Sequence, residues 1–321
     1  MVFTEKTVPL DSIDMQDKAF VATAGRPVQD LKNSIGRIGL VNPPWLVFSE
    51  SKGCFQVVSG YRRVKALGGL GWDRVPAKVF DPQTEAKKLL VFSFYDNLSH
   101  RALNPIEKAG VVERLLKYFP EEQIIETYLP LLGMSPSARA FKETVALMQI
   151  EDEIKQAVLQ GMITEKNALR LSSLQADDRQ YLFRLFGRLN LSSSKQAEML
   201  ESCCDIAGKD NRPVRDILGN DEIEKILNQD RLTLSQKGDR IRQRLRKKRF
   251  PRLARCEQRF ADLKKKLNFP PGVELHPPPF FEGGTYCLKI AFHTAEDLTE
   301  AAEQVKSTAQ SPVLRQLLEG R

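Results

Sequence analysis

At 321 residues, with 41% hydrophobic and 28% charged side chains, the sequence describes a core-forming chain long enough for two or three domains. This balance excludes a disordered chain, no apolar run approaches the roughly 18 residues of a membrane span, and the N-terminus lacks the pattern of a secretory signal. The net charge of +8 is concentrated in residues 237–266, where 14 Lys and Arg face 3 acids; this segment therefore carries +11 and the rest of the chain −3.

The first hundred residues are predicted to form a mixed α/β domain. Short apolar stretches separated by a turn-forming Ser51-Lys52-Gly53 predict a β-hairpin, and apolar residues at helical spacing precede it. In chain order, the predicted elements are a helix over 28–38, the hairpin strands over 45–48 and 55–58, a helix over 62–70, a strand over 75–80 and a helix from Thr84 towards Asn97.

From Asn104 onward the apolar spacing is helical only. Asn104-Pro105-Ile106-Glu107 combines an N-cap side chain, proline at the first helical position and an acid in the first turn. A helix over 121–128 and a second, well-capped helix from Ser135 to about Leu147, joined through Gly133, predict a helix-turn-helix. Further helices are expected over 151–160, 165–174, 176–188 and 193–207.

The composition shifts at residues 208–213, which predicts a boundary. Two basic helices over 233–248 and 250–267, interrupted at Pro251, lead to a proline-flanked extended segment, a strand over 286–292 and a helix over 295–305. We therefore expect a mixed α/β domain over 1–103, a helical domain with the helix-turn-helix over 104–210, a basic helical linker over 211–268 and a small module of unassigned role over 269–321.

Two polar segments of the N-terminal domain suit phosphate chemistry. Ser59-Gly60-Tyr61-Arg62-Arg63 follows a strand and begins a helix, where glycine allows close backbone approach and free N–H groups and arginines bind anions. Asp96-Asn97, at a helix end, offers oxygen ligands to a hydrated Mg²⁺. Taken singly, the first segment is more commonly a tight turn with solvated arginines and the second an ordinary polar helix terminus.

In their order and spacing, these segments resemble the ParB/partition-protein family over about residues 8–205. That family carries a Gly-Glu-Arg-Arg box after a strand, then a Glu-Asn-x-x-Arg box that runs into a Leu-x-Pro-Ile-Glu-x-Ala helix. This chain has Gly60-Tyr61-Arg62-Arg63, then Asp96-Asn97, then Leu103-Asn104-Pro105-Ile106-Glu107-Lys108-Ala109, of which the last run is the most specific.

The resemblance implies an α+β fold: a ParB/sulfiredoxin-like N-terminal domain, a central all-α helix-turn-helix domain and a small C-terminal α/β module. It also implies a CTP pocket with Mg²⁺, in a homodimer that nucleotide and DNA together close into a sliding clamp. A partition ATPase and a nucleoid-associated, cytoplasmic location belong to the same expectation. The implied nucleotide-binding residues are Gly60, Arg62, Arg63, Asp96, Asn97 and Arg101, with Asn97 also at the metal.

The sequence departs from the family at several positions. Tyr61 replaces the glutamate associated with hydrolysis, so at most a weak CTPase is expected. His100 stands where the second arginine is expected, with Arg101 one position later, and Arg26 is the substitute for a missing Gln-Pro-Arg segment. No cysteine stands in the Gly60 box, no Walker-type loop occurs, and five cysteines without CxxC spacing argue against a zinc site.

DNA contacts are expected from three segments. In the second helix of the helix-turn-helix, Ser135, Ser137, Arg139 and Lys142 are predicted to face DNA, while Phe141, Val145 and Ala138 face inward. A Gly-x-Ile-Thr turn that resembles the family places Lys166 and Arg170 near phosphates. Arg244, Lys247 and Lys248 lie on a basic helix whose apolar seam is predicted to comprise Ile241, Leu245, Phe250 and Leu253; non-specific DNA contact and pairing with a partner helix both fit it.

Three functions remain open at this point. The first is a CTP-responsive DNA clamp for chromosome or plasmid partition or for nucleoid organisation. The second is a transcriptional regulator that binds DNA without nucleotide, which Tyr61 and the displaced arginine favour. The third is a ParB-like nuclease, which the sequence supports least because it offers no paired acids in a catalytic arrangement.

Overall fold

The computed structural model describes residues 1–319, and the chain forms two compact units, Met1–Arg184 and Leu185–Arg321. A five-stranded sheet lies in the first unit, a two-stranded sheet lies in the second, and most other residues are helical. The α+β fold, with a helical region after the sheet and a small α/β module near the C-terminus, is confirmed.

The first unit begins with the sheet and continues as helices. A π-helical turn, Ile124–Tyr128, joins two of its short helices into one continuous rod. Its elements are β1 Phe3–Pro9, β2 Ile13–Asp14, α1 Gln29–Ile38, β3 Trp45–Ser49, β4 Cys54–Ser59, α2 Tyr61–Gly68, β5 Arg74–Phe80, α3 Ala86–His100, α4 Pro105–Leu115, α5 Glu121–Gln123, α6 Leu129–Leu131, α7 Ala138–Gln149, α8 Asp152–Leu159 and α9 Glu165–Ser172. The next helix, α10 Ala176–Leu189, begins in this unit and ends in the second one.

The second unit contains a pair of long helices and the small module. Pro251 starts the second of these helices, which is where the sequence predicts an interruption. The elements are α11 Ser193–Asp210, α12 Val214–Leu218, α13 Asp221–Leu227, α14 Leu234–Arg249, α15 Pro251–Leu267, β6 Val273–His276, β7 Cys287–Ile290, α16 Ala295–Ala309 and α17 Pro312–Glu319.

The large sheet is mixed, with strand order β1-β5-β3-β4-β2. The predicted hairpin of β3 and β4 is antiparallel and pairs Phe48 with Phe55. Strand β1 was not predicted, because Val8 is its only buried residue and no apolar alternation marks it. It is held instead by antiparallel pairing with β5 along its whole length, from Phe3 opposite Phe80 to Pro9 opposite Arg74.

The two faces of the sheet pack against different helices. Successive residues of β3 point to opposite faces, as the period of a strand requires. Leu46 belongs to a cluster with residues of α1 and α2, whereas Val47 joins a cluster with α3, α4 and α7. The second cluster runs from Phe20 to Phe141, so one hydrophobic core spans the sheet and the helices that follow it.

Helix starts follow the capping chemistry of the sequence. Asn104 accepts a hydrogen bond from the Glu107 N–H at 2.9 Å while the Glu107 carboxylate accepts one from the Asn104 N–H, so both unpaired groups of the helix start are satisfied. Ser137 caps α7 through the Ala140 N–H. The prediction that Thr84 opens α3 was wrong by two residues, since the helix begins at Ala86.

Candidate functional site

The end of β4 and the start of α2 form the wall of a cleft in the first unit. Gly60 is the N-cap of α2 and has φ 91° and ψ 22°, a left-handed conformation that glycine adopts without strain. A Cβ atom at this position would lie 2.9 Å from Nε of Arg63. Glycine is therefore required both by the backbone turn and by the arginine that folds back over it.

The cleft has a volume of about 320 Å³. It gathers every residue that the sequence predicts at the nucleotide, although they come from β4, α2 and the end of α3. Thr23, Leu31, Asn42 and His100 also line it and were not predicted as binding residues. The predicted lining residues are Gly60, Arg62, Arg63, Asp96, Asn97 and Arg101.

Arg62 and Arg63 are held by backbone carbonyl groups. Arg63 donates from Nη1 to the carbonyl oxygens of Asn42 at 2.7 Å and Pro43 at 3.1 Å, and Arg62 donates from Nη2 to the Pro27 oxygen. Nε of Arg62 is buried and has no hydrogen-bond partner among the described residues. A buried donor without a partner is costly, so this group is suited to an anion in the cleft.

Burial and like charge act on the same two arginines. Burial lowers the pKa of Arg62, and repulsion from Arg101 and Arg26 lowers it further. Burial also lowers the pKa of Arg63, which the charge of Asp96 partly offsets. Cations that repel one another in a partly dehydrated cleft gain most from a bound anion, because the anion relieves both the repulsion and the lost hydration.

Arg101 lies on the floor of the cleft. Its Nη1 donates to Oε2 of Glu107 at 2.6 Å, and its Nη2 donates to Oγ1 of Thr23 at 3.1 Å. Arg26 reaches the same carboxylate, with Nε 3.1 Å from Oε1. Glu107 is 2% exposed and also accepts from the Ala24 N–H, so one buried carboxylate orders both arginines.

Asp96 and Asn97 are each oriented by a hydrogen bond to a neighbouring serine. Oγ of Ser59 donates to Oδ2 of Asp96, and Nδ2 of Asn97 donates to the Ser93 carbonyl at 2.8 Å. This bond turns the amide nitrogen away and makes the Asn97 oxygen the atom suited to a cation. Within residues 1–319, no three His, Cys, Asp or Glu side chains group as metal ligands, so a cation here would need oxygens from its ligand.

Tyr61 and His100 occupy two of the positions at which the sequence departs from the motifs of the family that it resembles. The Tyr61 hydroxyl donates to the carbonyl oxygen of Met15 at 3.1 Å, so the side chain fastens the preceding loop. His100 Nδ1 lies 2.6 Å from the Asp96 carbonyl oxygen. Neither arrangement supplies a carboxylate that could activate water.

The predicted helix-turn-helix corresponds to the α5–α6 rod and α7, joined through Gly133 at φ 70°. Lys142 and Arg139 are exposed, and Arg139 pairs with Glu143 at 2.9 Å, while Ser135 is exposed and Ser137 caps the helix. Phe141 is buried as predicted, and Val145 is half-buried. The inward assignment of Ala138 was wrong: Ala138 is exposed, and Ala140 packs against the core instead.

Lys166 and Arg170 lie on α9, which packs against α7. Lys166 is exposed and Arg170 is half-buried. Thr164 caps this helix by accepting from the Asn167 N–H at 3.2 Å, which fixes the start of α9 after the Gly161 turn. The two cations therefore lie on a helix that packs against the predicted DNA-facing helix.

The basic helix α14 is paired with acids of its own unit. Ile241 and Leu245 are buried against α11, so the narrow apolar seam is confirmed there; its predicted continuation to Phe250 was wrong, since that ring is 42% exposed. Around the seam, Arg242 pairs with Glu198, and Arg249 pairs with Glu201 and with Asp205 at 2.6 Å.

Two of the three predicted DNA contacts on α14 take part in such pairs. Arg244 donates from Nε to Glu222 at 2.8 Å, and Lys248 lies 3.4 Å from Asp210. Lys247 is exposed and forms no ion pair within residues 1–319. Much of the concentrated positive charge is thus balanced locally.

Among the described helices, none combines the length and apolar character needed to cross a bilayer.

Residues 4–97 match the family model of the ParB N-terminal domain. The chain is 28% identical over 152 residues to a nucleoid occlusion protein of Halalkalibacterium halodurans, a match that covers 47% of this chain and 50% of the relative. The chain thus spans about half the length of that curated relative.

Two solved structures of the chromosome-partitioning protein ParB from Caulobacter crescentus, both C-terminally truncated, are also similar. The one complexed with CTP-gamma-S is 23% identical, covers 54% of this chain and 94% of its own, and has a TM-score of 0.26. The one complexed to the centromeric parS site is 22% identical, covers 60% of this chain and 96% of its own, and has a TM-score of 0.34.

Proposed function

We propose that this chain, whose residues 4–97 form a ParB N-terminal domain, is a DNA-binding protein that acts as a nucleotide-responsive clamp in chromosome or plasmid partition or nucleoid organisation. The observation that carries the proposal is the cleft in which Arg62, Arg63 and Arg101 converge around the left-handed Gly60. CTP is the nucleotide we assign, because the order of the motifs resembles the partition family.

The residues fit such a ligand. The buried, unpartnered Nε of Arg62 and the N–H groups at the start of α2 suit phosphate oxygens. Asp96 and the oxygen of Asn97 lie in the same cleft and suit Mg²⁺ bound to those phosphates. A bound Mg²⁺ would neutralise phosphate charge; the arginines would orient the nucleotide.

We assign no hydrolytic group. Tyr61 fastens the loop at Met15, and the described cleft offers Asp96 as its one carboxylate, already hydrogen-bonded to Ser59. Hydrolysis, if present, is expected to be slow because no side chain is placed to activate water. We therefore propose that nucleotide acts by binding, which closes the clamp, and that hydrolysis is not required for this step.

The DNA partner is assigned to the helical part of the first unit. Ser135, Ser137, Arg139 and Lys142 on and before α7, with Lys166 and Arg170 on α9, form the proposed interface with double-stranded DNA. We further propose a homodimer, a nucleoid-associated location and a partition ATPase as partner. Lys247 on α14, with Arg244 and Lys248 beside it, is assigned to weaker non-specific contact.

The test is equilibrium binding of CTP, with ATP and GTP as competitors, in Mg²⁺ and with and without genomic DNA. Arg62→Ala removes the proposed phosphate contact, and Arg37→Ala is the matched control because Arg37 is exposed on α1 outside the cleft. We expect CTP binding to be lost in the first variant and kept in the second. Equal binding by both variants would contradict the proposal.

A nucleotide-independent regulator is the second candidate, and the Tyr61 hydrogen bond to Met15 favours it. In that case the cleft residues serve the fold, and DNA binding is indifferent to nucleotide. Sequence-specific DNA binding by a protein that binds none of the three nucleotides would establish this alternative.

A further inference from the structure

The small C-terminal module contains a second cleft, distinct from the one beside Gly60. It has a volume of about 610 Å³, within the range of small-molecule sites. Helix α15 forms one wall, and the loop before β7 together with α17 forms the other. The lining residues are Arg252, Arg255, Cys256, Arg259, Phe260, Leu263, Phe281, Gly283, Tyr286 and Leu317.

The charge of this cleft is one-sided. Arg252, Arg255 and Arg259 stand three and four residues apart on α15, so they share one face of the helix. No acid is among the lining residues that the structure describes. Arg252 and Arg255 form no ion pair within residues 1–319, and the one hydrogen bond of Arg255 goes to the Pro251 carbonyl.

Most arginines of helix α14 differ from Arg252 and Arg255 of α15 in that they are neutralised by nearby acids. Helix α14 carries as dense a positive charge, but Arg242, Arg246 and Arg249 each pair with a carboxylate of the same unit. Arg252 and Arg255, which face the second cleft, therefore keep positive charge that no carboxylate of the described residues neutralises. An anion is the ligand that this arrangement fits, and arginine forks suit phosphate oxygens in particular.

Aromatic rings also line the cleft, one from α15 and two from the segment before β7. Phe260 lies 6.2 Å from Tyr286 with their rings 23° from parallel, and 5.8 Å from Phe281 with their rings at 69°. Phe281 and its neighbour Phe280 both have positive φ, 59° and 56°. This backbone conformation is unfavourable for phenylalanine, so the turn that presents these rings is maintained by its surroundings.

We propose that this second cleft binds a nucleotide unit, with its phosphate on Arg252 and Arg255 and its base against Phe260, Phe281 and Tyr286. Arginines beside aromatic rings are the combination that binds phosphate and base together without reading sequence. Duplex DNA fits poorly, because its bases are stacked inside and its convex backbone would not reach these rings. The ligand is a free nucleotide or one unit of a single strand.

The rate at which the Cys256 thiol is alkylated reports on this cleft, because Cys256 is exposed and lines it. Cys287 is also exposed but does not line the cleft, so it serves as the internal control. Iodoacetamide labelling of the full chain is followed at both cysteines by peptide mass spectrometry. The probes are thymidine monophosphate and an oligothymidylate of about eight nucleotides, a length in the range of single-strand sites. We expect both probes to slow labelling of Cys256 and neither to slow labelling of Cys287.

The variant Arg252→Gln/Arg255→Gln removes the proposed phosphate contacts. We expect it to weaken protection at least about tenfold in probe concentration, since charge-assisted hydrogen bonds are lost. The control Lys225→Gln/Lys306→Gln removes the same charge from exposed positions of the unit outside the cleft, and should leave protection unchanged. Phe281→Leu keeps an apolar side chain but removes a ring, and should weaken the protection of Cys256 by both probes.

The two probes distinguish a free nucleotide from a single strand as the ligand of this cleft. Tighter protection by the oligomer identifies a single strand, and equal protection identifies a free nucleotide. This proposal does not depend on the cleft beside Gly60. In the variant Arg62→Ala, the probes should therefore still protect Cys256, even if the variant no longer binds CTP. Equal protection of both cysteines, equal weakening by the lysine control, or protection by an oligoglutamate instead would overturn the proposal.

Discussion

Arg101 and Glu107 join the end of α3 to the first turn of α4 through a 2.6 Å ion pair that is almost closed to solvent. The same carboxylate accepts from Arg26 and from two backbone N–H groups. Glu107 thus completes the capping box of α4 and orders two arginines, one of which lines the cleft. A residue that the motif marks as part of a helix start therefore also positions Arg101, which lines the proposed nucleotide site.

Glu107→Gln tests this network. The substitution keeps the shape of the side chain but leaves the guanidinium groups of Arg26 and Arg101 without their negative partner. We expect a loss of about 3 kcal/mol in the free energy of unfolding, measured by urea denaturation, because one member of a buried pair has been removed. A loss below about 1 kcal/mol, the size of an ordinary surface change, would show that the arginines re-solvate freely.

The same carboxylate gives the stability a pH dependence. Burial alone would raise the pKa of Glu107, but hydrogen bonds from Arg101 and Arg26 outweigh it and hold the pKa below its ordinary value. The stabilisation is therefore complete above about pH 4.3, the ordinary glutamate value, and is lost as the pH falls through the lowered value in the folded protein. The wild type and Glu107→Gln should converge in stability as the pH falls through this lowered pKa.

Gly60→Ala tests the turn at the cleft. Alanine at φ 91° is strained, and its Cβ would press on the Arg63 guanidinium at 2.9 Å. We expect a loss of about 1–2 kcal/mol in unfolding free energy and weaker CTP binding, since Arg63 must leave the carbonyls of Asn42 and Pro43. Gly53→Ala, also at positive φ but with nothing near its Cβ, should destabilise without affecting CTP binding.

Lys142→Ala tests the proposed DNA interface. Lys142 is exposed on α7, and removal of one phosphate contact should reduce the slope of log K against log salt by about 1. Lys117→Ala is the control, because Lys117 is exposed just after α4, outside the proposed interface. The measurement is fluorescence anisotropy of duplex DNA over a salt series, and an equal change in both variants would exclude a specific role for Lys142.

Arg242→Ala and Lys247→Ala separate the two uses of charge on α14. Arg242 bridges Glu198 and Asp239 and is largely shielded, so its loss should cost about 1 kcal/mol of stability. Lys247→Ala should leave thermal stability unchanged and weaken non-specific DNA binding. The opposite ranking in thermal denaturation would contradict the pairing of α14 with α11.

The elements that the sequence predicts correctly are those whose signals are local. Asn104 and Ser137 cap the helices they were expected to cap, and the β3–β4 hairpin pairs as its turn suggests. Strand β1 and the short helices α12 and α13 were not predicted. Strand β1 depends on a partner some seventy positions away, as Thr7 opposite Pro76 illustrates, and the two helices are too short to show a period.

In the candidate site too, the residues marked by local motifs were predicted and the long-range contacts were not. Arg62, Arg63, Asp96 and Arg101 were found because motifs mark them, but the contact of Arg26 with Glu107 spans 81 positions and left no local trace. The pairing of α14 did leave a signal that was overlooked. Glu198, Glu201 and Asp205 recur at helical spacing on α11, so an acidic stripe answering the basic helix could have been recognised.

The shared core from Phe20 to Phe141 has a consequence for protein engineering. Helix α4 carries Glu107 towards the cleft and packs its other side against α7. A chimera that joins residues 1–103 of this chain to the helices of a relative would cut through both relationships. Such a hybrid should fold only if the relative's helix supplies a glutamate in place of Glu107, together with apolar residues that match the core in which α4 is buried.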